Sequence, residues 1–219
     1  MNKPIQDSTG GNDALFETIA NNIADSGYSI QPNALPQPLL DQLSNHIQII
    51  SPADFKKAGI GRDSKLQLNQ VIRSDKICWI NNDSDAGADW LEWVESLQAF
   101  LNRRLFLGLF NSESHFAHYG PGDFYKKHSD AFKGQANRVL SMVVYLNKAW
   151  QAEDGGELLI YTGEETQAAI KVMPSFGTIV VFLSEDFPHE VLPAQRDRFS
   201  ITTWFRVNNS NSEKVDPPA

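Results

Sequence analysis

The sequence contains few of the features that mark secreted, membrane or disulfide-rich proteins. It has one cysteine, Cys78, in 219 residues, which excludes an internal disulfide and a structural zinc site built from several thiolates. No uninterrupted apolar run approaches the roughly 20 residues that cross a bilayer, and the first residues lack the basic-then-apolar order of a secretory signal. We therefore expect a cytoplasmic protein with no membrane partner.

Positive charge is also scarce, because 19 lysines and arginines face 27 aspartates and glutamates and the formal net charge is −8. Nucleic-acid-binding domains normally present a basic face, so we expect no nucleic-acid partner. The length and the hydrophobic fraction of 41% fit one globular domain with a sizeable core. Neither feature favours one oligomeric state over another.

A histidine–aspartate motif is the most informative stretch of the chain. In an extended segment alternate side chains point the same way, so His128 and Asp130 can reach one metal ion while Ser129 turns away. Such a pair occurs by chance in many sequences, and a third ligand is needed. His189 follows the apolar run 177–183, which is typical of a buried strand. Two imidazoles and one carboxylate suit Fe(II) and leave the opposite face of the metal open.

An arginine opens the last predicted strand. Arg198 begins the segment 198–205, whose alternating pattern predicts a strand with one face in a core. A cation in such a place is costly without a partner. Because a guanidinium matches a carboxylate as a two-pronged donor, a bound dicarboxylate is one partner that would satisfy it.

Further motifs flank the metal pair. They are the segment 72–80, His118-Tyr119-Gly120-Pro121-Gly122, Val144-Tyr145-Leu146-Asn147 and Gly155-Gly156-Glu157-Leu158. In this order, and together with the metal pair, they resemble the 2-oxoglutarate and Fe(II)-dependent dioxygenases. Within that family the sequence resembles the prolyl hydroxylases related to the oxygen sensors that act on hypoxia-inducible factor, and their bacterial homologues. The resemblance covers about residues 57–205.

The resemblance implies a metal centre and two co-substrates. His128, Asp130 and His189 would be the catalytic ligands of Fe(II), which 2-oxoglutarate would chelate through its 1-carboxylate and 2-keto oxygens. O2 would be the second co-substrate, and ascorbate is compatible as an additional reductant. Arg198 would bind the far carboxylate of 2-oxoglutarate, and Tyr145 would donate a phenolic hydrogen bond to it.

The remaining pocket residues follow from the same resemblance. Thr202 would add a further hydrogen bond to 2-oxoglutarate, and Tyr119 would line the entrance near its 1-carboxylate. A rim of apolar residues would keep the pocket dry; these are Val143, Leu158 and Val181. We interpret His115 and His118, which precede the metal pair, as structural or rim residues.

The segment 55–70 is polar, basic and glycine-bearing, which is typical of a solvated loop. The resemblance gives it a second interpretation, as a loop that closes over a bound peptide. Asp75, just beyond it, would then pair with Arg138 and anchor the base of the loop. The implied substrate is a proline in a protein or peptide, with a translation factor such as elongation factor Tu as a candidate.

Two other functions remain open at this point. A dioxygenase could hydroxylate a different side chain or a small molecule, since only the entrance loops would have to differ. The chain could also bind a metal without turnover and serve as a sensing module. The presence of Arg198 argues against such a module, because metal binding alone does not need a site for a dicarboxylate.

The order of patterns predicts an α+β fold with N-terminal helices packed on one sheet. Helical periodicity appears from residue 13 to 27, from residue 35 onward and from 88 to 107, and short strands separated by turns follow. Their expected positions are near 113–119, 124–128, 138–146, 157–161, 168–172, 177–183, 189–192 and 198–207. This count fits a jelly roll, the double-stranded β-helix of the resembling family. We expect disorder in residues 1–12, one dioxygenase domain at 13–207 (helical support and loop at 13–110, jelly-roll core at 111–207), and a flexible tail at 208–219.

Overall fold

Three α-helices lie over one face of a β-sheet in the computed structural model, which describes residues 9–58, 71–131, 137–163 and 169–207. They are α1 (Thr9–Ser26), α2 (Gln37–Ile49) and α3 (Asp85–Leu105). Pro38 lies in the first turn of α2, where its missing N–H leaves no helical hydrogen bond unmade. Ser84 caps α3, because its Oγ accepts a hydrogen bond from the backbone N–H of Gly87 at 3.1 Å.

The strands of the described residues form two sheets whose strand pairs are antiparallel. In chain order they are β1 (Tyr28–Gln31), β2 (Lys56–Lys57), β3 (Lys76–Trp79), β4 (Leu109–Tyr119), β5 (Tyr125–His128), β6 (Arg138–Tyr145), β7 (Leu158–Ile160), β8 (Ile170–Val172), β9 (Ile179–Leu183), β10 (His189–Val191) and β11 (Arg198–Val207). The seven-stranded major sheet has the order β1-β9-β6-β11-β4-β3-β2, and the four-stranded minor sheet has the order β5-β10-β7-β8.

Strand β11 shows how the major sheet separates the core from the pocket. Alternate side chains of a strand point to opposite faces. Ile201 and Phe205 are fully buried in the core that the helices share with the sheet. Arg198, Thr202 and Trp204 point the other way and line a pocket on the side of the minor sheet. A register slip of one residue would exchange these two sets, so the apolar pattern of β11 also fixes which side chains enter the pocket.

The eight strands expected between residues 113 and 207 are all present, as β4 to β11. The three expected helices are present as well, with the second ending at Ile49 and the third beginning at Asp85. Two short strands, β2 and β3, were not expected, and they extend the major sheet beyond β4. None of the described helices is long and apolar enough to cross a membrane.

The N-terminal boundary differs from the expectation. Helix α1 begins at Thr9, inside the segment 1–12 for which disorder was expected. Residues 1–8, most of the expected substrate loop (59–70) and the expected tail (208–219) lie outside the described residues.

The pairing expected between Asp75 and Arg138 is corrected by the structure. Asp75 is buried and accepts two hydrogen bonds from Arg73, from Nε at 2.8 Å and from Nη2 at 2.6 Å. Arg138 instead lies 3.3 Å from Glu113 and 3.5 Å over the ring of Trp204. Arg73 and Asp75 are two residues apart in extended chain and therefore share a face, which gives Asp75 a nearer cation.

Candidate metal centre and co-substrate pocket

Two histidines and one aspartate come together at the edge of the minor sheet. His128 ends β5 and His189 begins β10, and these two residues are direct partners in the antiparallel register. Asp130 follows His128 by two residues and lies 3.7 Å from the Nε2 atom of each histidine. One ligand atom from each of the three residues lies within 4.8 Å of the others. The predicted triad is therefore assembled in space.

The backbone orients both imidazole rings. His128 Nδ1 lies 2.7 Å from the carbonyl oxygen of Lys126, and His189 Nδ1 lies 3.0 Å from that of Phe187. Since a carbonyl only accepts, Nδ1 carries the hydrogen in the neutral rings and Nε2 keeps its lone pair. Both Nε2 atoms face Asp130, so three lone-pair donors converge on one point.

Burial and neighbouring groups favour the ligand forms of His128 and Asp130. Burial, together with the nearby His189, lowers the pKa of His128 and favours the neutral ring. Burial alone would raise the pKa of Asp130, but the neighbouring His189 and His128 and the hydrogen bond from Ser141 outweigh it and lower that pKa. The hydroxyl of Ser141 donates to Asp130 Oδ2 at 2.6 Å. A carboxylate and two neutral imidazoles form the donor set that fits Fe(II).

Arg198 lies in the same pocket and is almost completely buried, with 1% of its surface exposed. Its Nε donates to the carbonyl oxygen of Gly156 at 2.8 Å, and Nη1 lies 3.5 Å from Ser200 Oγ. Among the residues that the structure describes, no carboxylate pairs with it. A buried guanidinium with no anion is unfavourable by several kcal/mol in order of magnitude, so the pocket is suited to a ligand that supplies a carboxylate.

Two consecutive glycines make room for this guanidinium. Gly156 has φ 69°, in the left-handed region that favours glycine. A Cβ atom at Gly156 would lie 2.9 Å from Ala194 Cβ and 3.1 Å from Arg198 Cδ. The stem of Arg198 therefore passes against a backbone that carries no side chain, which gives the Gly155-Gly156 motif a physical reason.

Tyr145 adds a second group suited to a carboxylate. Its ring lies 5.1 Å from the guanidinium carbon of Arg198, the residue is fully buried, and its hydroxyl has no acceptor among the described residues. Burial raises the pKa of Tyr145 to about 12, against the opposing effect of Arg198, so the phenol keeps its hydrogen. A dicarboxylate end group would satisfy both the guanidinium and the hydroxyl.

The structure brings the other predicted pocket residues to the same place, with one exception. Tyr119 and Thr202 line the pocket, as do Val143 and Leu158 of the predicted apolar rim. The guanidinium carbon of Arg198 lies 4.9 Å from the ring of Tyr119. Val181 was wrongly placed in the rim, because its side chain is buried in the core on the helix side of the major sheet.

Among the pocket residues that the sequence did not single out are Arg73, Tyr125 and Trp204, while His115, which we interpreted as a structural or rim residue, also lines the pocket. The guanidinium of Arg73 lies 4.2 Å over the ring of Tyr125, which in turn stacks on His128 at 3.4 Å. Tyr125 is only three residues before His128, so its proximity to the triad could be expected. No local sequence pattern indicates that Arg73, about 50 residues earlier, would contact Tyr125. His118, by contrast, lies outside the pocket, with Nε2 2.7 Å from Asp197 Oδ1.

Comparison with known proteins agrees with this geometry. Residues 114–206, which contain all seven residues proposed as ligands or co-substrate contacts, match the 2OG-Fe(II) oxygenase superfamily. The chain belongs to this superfamily, whose members use Fe(II), 2-oxoglutarate and O2.

Several of the similar proteins within the superfamily are prolyl hydroxylases. A solved Pseudomonas putida prolyl-4-hydroxylase is 36% identical, with a TM-score of 0.79 over 88% of this chain and 99% of that one. A Trichoplax adhaerens prolyl hydroxylase, solved with a peptide fragment of the hypoxia-inducible factor oxygen degradation domain, is 28% identical, with a TM-score of 0.76 over 94% of each chain. Human Egl nine homolog 1 is 34% identical over 64% of this chain and 34% of its own length. The chain thus spans about a third of that relative.

Proposed function

We propose that the protein hydroxylates a prolyl residue in a protein or peptide, with Fe(II), 2-oxoglutarate and O2. One observation carries the proposal: the buried guanidinium of Arg198, which has no carboxylate partner among the described residues, shares a pocket with a triad of two histidines and one aspartate. Iron binding alone requires only the triad. A site for a dicarboxylate beside it is the arrangement that oxidation coupled to 2-oxoglutarate requires.

The two sheets are proposed to form a jelly roll, the double-stranded β-helix, with residues 13–207 as one dioxygenase domain. The antiparallel pairing within both sheets and the position of the pocket between them support this assignment. Metal ligands from the minor sheet and the guanidinium from the major sheet would then face each other across the interior of the barrel.

Each side chain has a role in this proposal. His128, Asp130 and His189 hold the metal, and Arg198 and Tyr145 bind the far carboxylate of 2-oxoglutarate. Bound Fe(II) would supply the activation of O2 for insertion into a C–H bond, with release of succinate and CO2.

Two further hydroxyls complete the co-substrate pocket in this proposal. Thr202 adds a hydrogen bond to 2-oxoglutarate, and Tyr119 lines the entrance near its 1-carboxylate. Burial raises the pKa of Tyr119, so its hydroxyl keeps its hydrogen and can donate. Val143 and Leu158 exclude water from the space between these groups.

The substrate class rests on the relatives. The similar chains from Pseudomonas putida and Trichoplax adhaerens are prolyl hydroxylases, and the latter was solved with a peptide fragment. We extend this chemistry to a proline in a cytoplasmic protein, with a translation factor such as elongation factor Tu as the candidate that the sequence resemblance suggests.

The test is release of succinate from 2-oxoglutarate by purified protein with Fe(II) in air, with and without proline-bearing peptides that include fragments of elongation factor Tu. We expect release that rises with a peptide, together with one added oxygen on its proline by mass spectrometry. His128→Ala should abolish release, because the metal loses a ligand. His118→Ala is the matched control, since His118 lies outside the pocket, and it should retain activity.

Other outcomes would redirect the assignment. Release that depends on His128 but responds to no proline-bearing peptide would contradict prolyl hydroxylation and favour another side chain or a small molecule. Absence of release from protein with bound iron would contradict the enzyme and favour a metal-binding sensing module.

A further inference from the structure

His115 is a buried polar residue that the proposed chemistry leaves without a role. It lies on β4, directly opposite Thr202 of β11, and it lines the pocket with 2% of its surface exposed. Its Nδ1 atom is buried and has no hydrogen-bond partner among the described residues. Because no described residue satisfies this nitrogen, a bound ligand is one partner that would remove the cost.

The energetic cost of this arrangement indicates a function. A buried polar atom without a partner is unfavourable by about 1–3 kcal/mol, whereas an apolar side chain of the same shape avoids the cost. Burial, and then the charges of Arg73 and Arg138, lower the pKa of His115 to about 3, against the opposite effect of Asp130. The ring is therefore neutral near pH 7 and carries one N–H donor and one acceptor.

The position of His115 favours a ligand other than the far carboxylate of 2-oxoglutarate. Its ring lies between the rings of Trp79, at 5.2 Å, and Trp204, at 5.0 Å. Trp79 is 54% exposed, whereas Arg198 is 1% exposed. Thr202, the residue opposite His115, is four residues along β11 from Arg198, or roughly 13 Å in a strand. His115 therefore lies beside an exposed indole, at the end of the pocket away from the site proposed for the far carboxylate of 2-oxoglutarate.

The chemistry of a prolyl residue fits the surface formed by His115, Trp79 and Trp204. Proline has a backbone carbonyl and no N–H, so only a donor can hold its main chain. Proline-bearing segments also dock on aromatic surfaces, and indole rings lie on both sides of His115. We propose that the Nδ1–H of His115 donates a hydrogen bond to a backbone carbonyl of the proline-bearing substrate and so positions it. This inference rests on the proposed function and names a specificity residue for it.

The test compares His115→Phe, which removes both nitrogens and keeps a ring, with His115→Gln, which keeps an N–H donor. His118→Phe is the matched control, because His118 lies on the same strand but outside the pocket, stacked on Phe199 at 4.6 Å. For each protein we would measure kcat and KM for the peptide that wild type hydroxylates. Direct titrations would give Kd for that peptide and for N-oxalylglycine, both with Mn(II) in place of iron.

We expect His115→Phe to weaken peptide binding roughly 3- to 10-fold, the effect of one lost neutral hydrogen bond, with little change in kcat. The Kd for N-oxalylglycine and the melting temperature should not worsen, since Nδ1 of His115 has no hydrogen-bond partner in the part of the chain that the structure describes. His115→Gln should recover part of the peptide affinity, and His118→Phe should behave as wild type.

Each contrary result has a separate meaning. Equal peptide affinity in His115→Phe and wild type would overturn the role of His115 and leave prolyl hydroxylation intact. Weaker binding of N-oxalylglycine in place of the peptide would also overturn it, because the partner would be the co-substrate. A wild-type protein that neither binds nor hydroxylates any proline-bearing peptide would overturn both proposals.

Discussion

At the scale of single residues, the buried charge of Arg198 should determine affinity for 2-oxoglutarate. Charge-assisted hydrogen bonds to a carboxylate contribute about 2–3 kcal/mol in a buried site. We therefore expect Arg198→Ala to raise the KM for 2-oxoglutarate roughly 30- to 140-fold, as measured by succinate release at increasing 2-oxoglutarate concentration. Arg198→Lys should lie between, because an ammonium keeps the charge but loses the planar fork.

The control for this prediction lies on the same strand. Arg206 also belongs to β11, but it pairs with Glu113 at 3.4 Å and with Asn111 at 3.0 Å. Arg206→Ala removes a cation of the same kind without touching the dicarboxylate site, so its KM for 2-oxoglutarate should match that of wild type. An equal rise in the KM for 2-oxoglutarate in both variants would mean that any positive charge on β11 has this effect and that Arg198 makes no specific contact with the carboxylate.

His115 should also leave a signature in the pH dependence of stability. Its pKa in the folded protein is lowered from 6.5 to about 3, so the unfolded state takes up the proton first. Its contribution to stability is complete above pH 6.5 and is lost as the pH falls toward about 3, with a slope of up to about 1.4 kcal/mol per pH unit.

Urea unfolding of metal-free protein at several pH values between about 6 and 4 measures this slope. The free energy of unfolding of wild type should fall more steeply with acid than that of His115→Phe, because the variant has no ring to protonate. His128 and His189 are present in both proteins and cancel in the comparison. Parallel curves would show that the His115 ring is protonated as easily in the folded protein as in the unfolded chain.

Sequence patterns reveal single residues only where the pattern is local or belongs to a known motif. The proximity of His128 and Asp130 was predictable because side chains two residues apart in an extended segment share a face, and the buried position of Arg198 because the alternating pattern of 198–205 predicts a core strand. Trp204 and His115 were not, since their meeting depends on the register between β4 and β11. The expected partner of Asp75 was wrong because the resemblance pointed to Arg138, which is distant in sequence, whereas Asp75 pairs with Arg73 two residues before it.

At the scale of elements, the end of α3 contains an avoidable strain. Phe106 follows the helix in the left-handed region, with φ 56°, and is 89% exposed. Glycine is the preferred residue at such a position. We expect Phe106→Gly to raise the free energy of unfolding by about 0.5–1 kcal/mol, as measured by urea denaturation.

Phe106→Ala separates backbone strain from the loss of the exposed ring. Alanine keeps the Cβ atom and therefore the strain, so this variant should show little of the gain. If alanine and glycine stabilise the protein equally, the aromatic ring and not the backbone conformation is the unfavourable feature.

The elements themselves were predicted unevenly. Long elements such as α3 and β11 are recognisable in the sequence, because burial of one face imposes a regular repeat of apolar residues. β2 has two residues and β3 has four, too few for a repeat. β3 forms a strand by pairing with β4, which is about 40 residues away in sequence. The free edge of β4 that β3 pairs with exists only in the folded protein.

At the scale of the whole molecule, bound metal and co-substrate should stabilise the fold, because the two histidines of the proposed metal triad belong to the minor sheet and Arg198 belongs to the major sheet. At about 100 times the Kd, a ligand that binds only the folded state contributes about 2.7 kcal/mol. For a chain of this length that corresponds to a rise in melting temperature of roughly 5–10 °C. We expect this rise with Mn(II) plus N-oxalylglycine, measured by differential scanning fluorimetry.

Two variants separate the contributions of Mn(II) and N-oxalylglycine to the rise in melting temperature. His128→Ala should lose the effect of both, because N-oxalylglycine depends on the metal for part of its binding. Arg198→Ala should keep the shift caused by Mn(II) alone and lose most of the further shift caused by N-oxalylglycine. A full shift in either variant would mean that the ligands stabilise the protein from another place.

The indole rings beside the pocket give the chain a built-in optical reporter. Trp204 lines the pocket that contains Asp130 of the proposed metal triad, and Trp79 lies exposed 6.5 Å from Trp204, between centroids. A paramagnetic metal in the triad should therefore dim the emission of Trp204, whereas a peptide that covers Trp79 should shift emission to shorter wavelength. Trp90 and Trp93 stack on each other in the helix layer at 5.5 Å and would provide a constant background. Occupancy of the metal and of the peptide site could then be followed separately by fluorescence, in a single cuvette and without any turnover.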